Sequence, residues 1–447
     1  MNHIRTMDWG KKTPLKISEN GRYLLYHDQT PFFYLGDTAW ELFHALTFSE
    51  MELYFENRTS LGYNVIQAVI IPELDGLKTP NRYGECPLFQ NDPAQPNERY
   101  FTFIDYVLQM AGNYGLFVGV LPTWGDKVEL MGWGIGPVIF NVDNAYYYGK
   151  MLGNRYKNTP NIIWIIGGDR QVGGKNREIW EAMAKGIKSE DRNHLMTFHP
   201  NGDKSSSMWF HQASWLDFNA CQSGHSMRDY PNYMMIDYDY NRAPAKPCLD
   251  MEPCYEDHAV NWKIENGFFN DYHVRKAAYR AVFAGACGHV YGCASVWQMH
   301  RPEKAPVGFS NDYWHHQIHL PGARQMEYLK RLVESRPFTE REPDFEAIET
   351  PLVGDDHIRV TKGKDYLMVY LPKGGEVKVN TSVIRGARKN AWWLDPRTSA
   401  IIRIDTNTNP VVIFEAPSSG EGFDWVLVVD NADAMFEYPQ FQNKIHY

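Results

Sequence analysis

The chain predicts an α/β protein, a (β/α)8 TIM barrel followed by a small C-terminal antiparallel β-sandwich. Three observations lead there. Between about residues 30 and 300, short apolar runs alternate with helical patterns, the signature of parallel βαβ units. Most of these runs are continuously apolar rather than alternating, as strands buried on both faces are. After Arg336-Pro337 the texture changes to short alternating strands separated by turn signals.

The runs that read as barrel strands are 32–36, 63–71, 116–122, 162–167, 194–199, 215–221, 247–252 and 289–297. Helical patterns lie between them. Thr47 with Glu50 three residues later makes a capping box, followed by Met51, Tyr54, Phe55 and Arg58. Phe103, Val107, Met110, Ala111 and Tyr114 share one helical face, and Gly115 stops it. Ile179, Met183 and Ile187 repeat the pattern before the fifth strand, and an Ala-rich helix from 271 to 283 precedes the eighth. Eight such units in roughly 280 residues suit a barrel. An open doubly wound sheet is disfavoured, because neither GxGxxG nor GxxxxGK[ST] follows the first strand.

The C-terminal strands read as 357–361, 366–371, 376–379 and 424–429. The turns Gly354-Asp355-Asp356, Lys373-Gly374-Gly375 and Asn407-Thr408-Asn409-Pro410 separate them. The expected domains are therefore a barrel over 1–340 and a sandwich over 341–447. No low-complexity linker joins them, so the sandwich is expected to pack rigidly on the barrel.

Composition narrows the function. A hydrophobic fraction of 43% supports packed cores, and a net charge of −9 without a basic run gives nucleic acid no footprint. An acidic polymer stays open as a partner, since a local basic cleft can sit on an acidic protein. The chain holds 14 Trp, 27 Tyr and 23 Phe; beyond a large aromatic core, flat rings suit the C–H-rich faces of sugars. Cys86, Cys221, Cys248, Cys254, Cys287 and Cys293 form no CxxC pair and no zinc spacing, so no metal or cofactor is expected. No apolar run of about 18 residues exists to span a membrane. The first residues, MNHIRTMDWG, lack the apolar core of a leader. Either the protein is cytoplasmic, or a leader has been removed.

In a TIM barrel the chemistry sits at the C-terminal ends of the strands. Two carboxylates stand out there: Asp169 after strand four and Glu252 at the end of strand seven. Strands four and seven lie three apart in an eight-strand ring, so their ends face each other across the mouth. Cleavage of a glycosidic bond needs such a pair, one acid for the leaving oxygen and one carboxylate opposite. If the second attacks carbon, the two sit about 5–5.5 Å apart and configuration is retained. The bland alternative is an ion pair of Asp169 with Arg170 and a helix-terminal role for Glu252. Trp40, Trp124 and Trp297 fall at or just past strand ends, where they could stack on a sugar or simply pack. His199 and Gln222 are candidate partners for ring hydroxyls, and Glu73 and Asp37 could orient the acid or bind hydroxyls.

These residues carry a resemblance. FFYLGDTAWELFHALT, NIIWIIGGDR, PCLDMEPCYE and AWWLDPRT together resemble glycoside hydrolase family 140, over nearly the whole chain. The resemblance implies an apiosidase that releases apiose-linked side chains from the pectin rhamnogalacturonan II. It also implies Asp169 as general acid/base and Glu252 as nucleophile. Retaining barrels of the wider clan place Asn-Glu after strand four, where this chain has Gly168-Asp169. Aspartate is one methylene shorter, so the acid reaches less far unless the strand end moves inward. In such proteins a β-domain named for collagen binding follows the barrel, although nothing in Trp392-Trp393-Leu394-Asp395-Pro396-Arg397 argues for collagen. Pectin breakdown places the expected location in the periplasm or outside the cell.

Three rivals stand beside this reading. A metal-dependent barrel hydrolase would want an HxH pair after strand one, where the chain has Asp37-Thr38-Ala39. A non-catalytic carbohydrate-binding protein would hold its affinity in the sandwich. A barrel glycosidase acting on another plant or bacterial glycan would keep the carboxylates and change the sugar.

Overall fold

The eight expected strands form. They are β1 (Tyr34–Thr38), β2 (Val65–Val69), β3 (Phe117–Leu121), β4 (Ile162–Gly167), β5 (Met196–His199), β6 (Asn219–Gln222), β7 (Cys248–Asp250) and β8 (Gly288–Tyr291). The computed structural model describes residues 7–349 and 353–441. The first six residues read for a leader, and the last six of the expected sandwich, lie outside the described residues.

Strands β8, β1, β2, β3, β4 and β5 pair in parallel in that order, and β6 pairs in parallel with β7. Two seams close the ring. The Asp217 N–H donates to the Met196 carbonyl at 2.8 Å, and the Cys287 N–H to the Cys248 carbonyl at 2.9 Å. Every residue of all eight strands is buried, inside the barrel or beneath the helices, which is why the runs read as unbroken apolar stretches. Six of the observed strands are shorter than their apolar runs, which continue into segments that do not pair as strands; β4 matches its run and β1 is shifted by two residues.

The Thr47–Glu50 capping box forms as expected: the Thr47 N–H donates to Glu50 Oε2 at 2.7 Å and starts the helix Phe48–Ser60. The face Phe103, Val107, Ala111 is buried in the helix Glu98–Asn113. The helices Gly174–Glu190 and Asp271–Phe283 also stand where the periodicity placed them.

Beyond the barrel, six antiparallel strands run in the order Glu342–Asp344, Arg359–Lys362, Tyr366–Leu371, Trp425–Asn431, Lys389–Leu394 and Ile401–Asn407. Gly374–Asn380 and Val411–Ser419 pair as a second, two-stranded layer. One expectation is corrected. The central strands are not alternating apolar and polar, because both faces of the large sheet are covered. Tyr366, Met368 and Tyr370 join the barrel's core, while Leu367, Val369 and Leu371 fill the sandwich. Trp392 and Leu394 split from Ala391 and Trp393 in the same way. Across this junction Arg275 grips buried Asp424 through two bonds of 2.8 and 2.6 Å, and Tyr279 stacks on Tyr370 with ring centres 4.9 Å apart.

Candidate active site

The C-terminal ends of the barrel strands open into a cleft of about 750 Å³. Trp40, Glu73, Trp124, Asp169, Gln222, Glu252 and Trp297 line it, so seven of the nine residues expected at the site meet there. His199 stands behind the wall, its ring 5.3 Å from Trp40 and 5.9 Å from Trp124, with Nε2 3.0 Å from Glu252 Oε2. Asp37 is the exception. Its carboxylate is fully buried against Arg58 Nε at 2.5 Å and the Tyr54 hydroxyl, beneath the helix that follows β1. A charge in that position is a structural ion pair and does not reach a sugar.

The acid corner is made by backbone. Gly167, Gly168 and Asp169 have φ of +100°, +123° and +57°, three successive residues in a region that side chains avoid. A Cβ at Gly167 would lie 2.3 Å from the His199 carbonyl oxygen, and one at Gly168 2.8 Å from the Gly125 nitrogen. Two glycines therefore allow a tight turn over the barrel mouth, and Asp169 holds the strained position after them. Arg170 does not pair with the Asp169 carboxylate. Its N–H groups donate to the backbone carbonyls of Glu129, Asp169 and Trp133 at 2.8–2.9 Å. The carboxylate instead accepts the Trp133 indole N–H at Oδ2, at 2.7 Å. Burial, then the charge of Glu252 nearby, pushes Asp169 up to about 6.

The corner around Glu252 is built from imidazoles. His225 Nε2 lies 3.2 Å from Oε1 and His199 Nε2 3.0 Å from Oε2. Burial would raise this carboxyl, but the two rings outweigh it and hold Glu252 down at about 2. Behind His225 stacks His258, with ring centres 4.4 Å apart. Burial and His225 push His258 down to about 3; its Nδ1 donates to the Ala259 carbonyl at 2.8 Å, which leaves Nε2 as an acceptor.

A third carboxyl, Glu73, shares the cleft. Its surroundings, and then the charges of Asp169, Glu41, Asp126 and Glu252, raise it well above the usual carboxylate range. Among the described residues that line the cleft, none is lysine or arginine. The basic cleft that an acidic polymer would want is therefore not present around the carboxylates.

Trp40, Trp124 and Trp297 are nearly fully buried and form the floor. The exposed rings at the rim are others: Trp133 at 43% and Trp262 at 48% exposure. Sequence reasoning missed Trp133, Trp262, His225, Tyr255 and His258. Trp133 had a signal, an aromatic among glycines in MGWGIGP after strand three; the rest sit in loops after β6 and β7 without local pattern.

Residues 18–340 match the family model "Apiosidase-like, catalytic domain". Residues 343–430 match a second family, named as a collagen-binding domain of a collagenase, a name that says nothing of what this chain binds. A solved structure of a glycoside hydrolase is 36% identical, covering 96% of this chain and 98% of that one at a TM-score of 0.89. A glycoside hydrolase family 5 structure from Bacteroides vulgatus ATCC 8482 is 34% identical, covering 97% and 96% at 0.90. No curated protein matches the chain. The family model spans most of the chain and both solved relatives are glycoside hydrolases, so the chain belongs to the apiosidase-like catalytic-domain family of glycoside hydrolases.

Proposed function

We propose that the enzyme is a retaining apiosidase that cleaves apiose-linked side chains of rhamnogalacturonan II, with Asp169 as acid/base and Glu252 as nucleophile. One observation carries the reading: two carboxyls on facing strand ends of one cleft are pushed to opposite protonation states, about 6 and about 2. Between these values Asp169 is protonated while Glu252 is ionised.

In the first step Glu252 attacks the anomeric carbon. The bond from that carbon to the leaving oxygen breaks, and the Asp169 proton passes to that oxygen. Asp169, now ionised, takes a proton from water as the water oxygen attacks the same carbon, and the ester to Glu252 breaks. Free sugar leaves, and both carboxyls return to their starting states. An uncharged sugar such as apiose fits this centre, since a uronate would meet the charge of ionised Glu252 with no lysine or arginine in the lining to offset it. Trp40, Trp124 and Trp297 supply its apolar floor, and Gln222, Glu73 and the bare Nε2 of His258 offer polar contacts to hydroxyls. A pectic substrate favours a periplasmic or secreted location, checked by cell fractionation.

The deciding experiment is chromatography of products from rhamnogalacturonan II oligosaccharides, with Glu252→Gln in parallel. The expected result is a released side chain with apiose at its reducing end, from the native enzyme alone. No product from either protein would move the search to other glycans.

A further inference from the structure

We infer that Trp133 is a positioning residue for the acid: its indole N–H occupies Asp169 Oδ2 and leaves Oδ1 as the oxygen that carries and delivers the proton. The inference rests on the reading of Asp169 as acid/base.

An indole nitrogen donates and never accepts. Oδ2, 2.7 Å from it, must therefore act as acceptor in every protonation state of Asp169. A protonated Oδ2 is a poorer acceptor than the carbonyl-type oxygen, so the indole bond favours the proton on Oδ1. Among the described residues, Trp133 is the single side-chain donor to this carboxylate.

The loop carrying Trp133 is not free to wander. Arg170, next to Asp169 in the chain, donates to the carbonyls of Glu129 and Trp133, and its guanidinium lies 5.2 Å from the centre of the Trp133 ring. On the other side Asp126 Oδ2 accepts the N–H groups of Ile135 and Gly136 at 3.0 and 2.9 Å, and Lys127 Nζ at 2.7 Å. The segment after strand four thus carries both the acid and the clamp for the loop that orients it. The remaining charged or titratable groups that face Asp169 are Glu252, Glu73, His199 and Arg170.

Trp133 also lines the cleft with its ring largely exposed. The ring that holds the acid therefore also borders the space a substrate would fill. Substrate lying over it excludes water from the N–H···Oδ2 bond and strengthens it.

The test is Trp133→Phe, which keeps a flat ring and removes the N–H. Its pH profile of kcat/KM is measured beside those of native enzyme and Asp169→Asn, with kcat and KM on rhamnogalacturonan II oligosaccharides. Loss of a hydrogen bond to the ionised form should move the alkaline limb up by about one pH unit. kcat should fall by roughly tenfold and KM should change little, since the ring remains. A melting midpoint close to native certifies the fold of this rim substitution. An unmoved limb in Trp133→Phe, with the limb abolished in Asp169→Asn, overturns the inference and leaves the functional reading standing. A limb that persists in Asp169→Asn overturns both.

Discussion

Two carboxyls at one barrel mouth meet different surroundings, and the difference is instructive. Glu252 leaves a short regular strand and is met by two imidazoles, so its charge is stabilised although it is buried. Asp169 follows a strained glycine turn and is met by one indole N–H and by neighbouring negative charge. The nearest arginine is diverted to backbone carbonyls. Burial penalises both charges; what separates them is the two imidazoles beside Glu252 and the sign of the neighbours. Had Arg170 paired with Asp169, both carboxyls would be ionised well below pH 6 and neither would hold a proton there for a leaving oxygen.

The largest effect expected from breaking this contrast is Glu252→Gln. The amide cannot attack carbon, so kcat should fall by roughly 10³–10⁵-fold while a substrate still binds, read by turnover and by calorimetry. Unchanged turnover would remove Glu252 from the nucleophile role. Asp169→Asn comes next, with a loss of about 10²–10⁴-fold on substrates whose leaving group needs a proton, and a far smaller one on activated aryl glycosides. Equal losses on both substrate types would mean that Asp169 is not the acid.

The unmodified enzyme should show the contrast in its pH profile. Asp169 works protonated and its value is raised, so kcat/KM should be full below about 6 and fall as pH rises through it. Glu252 works ionised and its value is lowered, so the acid limb should appear only as pH falls towards about 2. A profile flat from pH 5 to 8 would contradict the assignment of Asp169. Sharpest and smallest is His225→Phe, which keeps a ring against His258 and removes the donor to Glu252 Oε1. Glu252 should then titrate about one unit higher, moving the acid limb up with roughly a tenfold loss in kcat. An acid limb that stays in place would show that His199 alone sets the Glu252 charge.

The parts legible in the sequence were those written in local pattern. Eight apolar runs marked eight strands because each is buried on both faces, and Thr47–Glu50 marked a helix start because both partners lie within one turn. Asp169 and Glu252 were legible for the same reason: each is an acidic residue at the end of an apolar run, and barrel topology sends those ends to one face. Asp37 met that criterion too and failed it. Its run ends identically, but the helix after β1 brings Arg58 and Tyr54 beneath it, and no local pattern records where that helix packs.

The sequence by itself determined the barrel, the sandwich after it and the two carboxyls, because short-range periodicity and strand order specify them. Which carboxyl keeps its proton was decided only by tertiary structure. Trp133 reaches Asp169 across 36 residues, and His225 and His199 reach Glu252 from the ends of other strands. Electrostatic energy depends on distance in space, and separation along the chain says nothing about it.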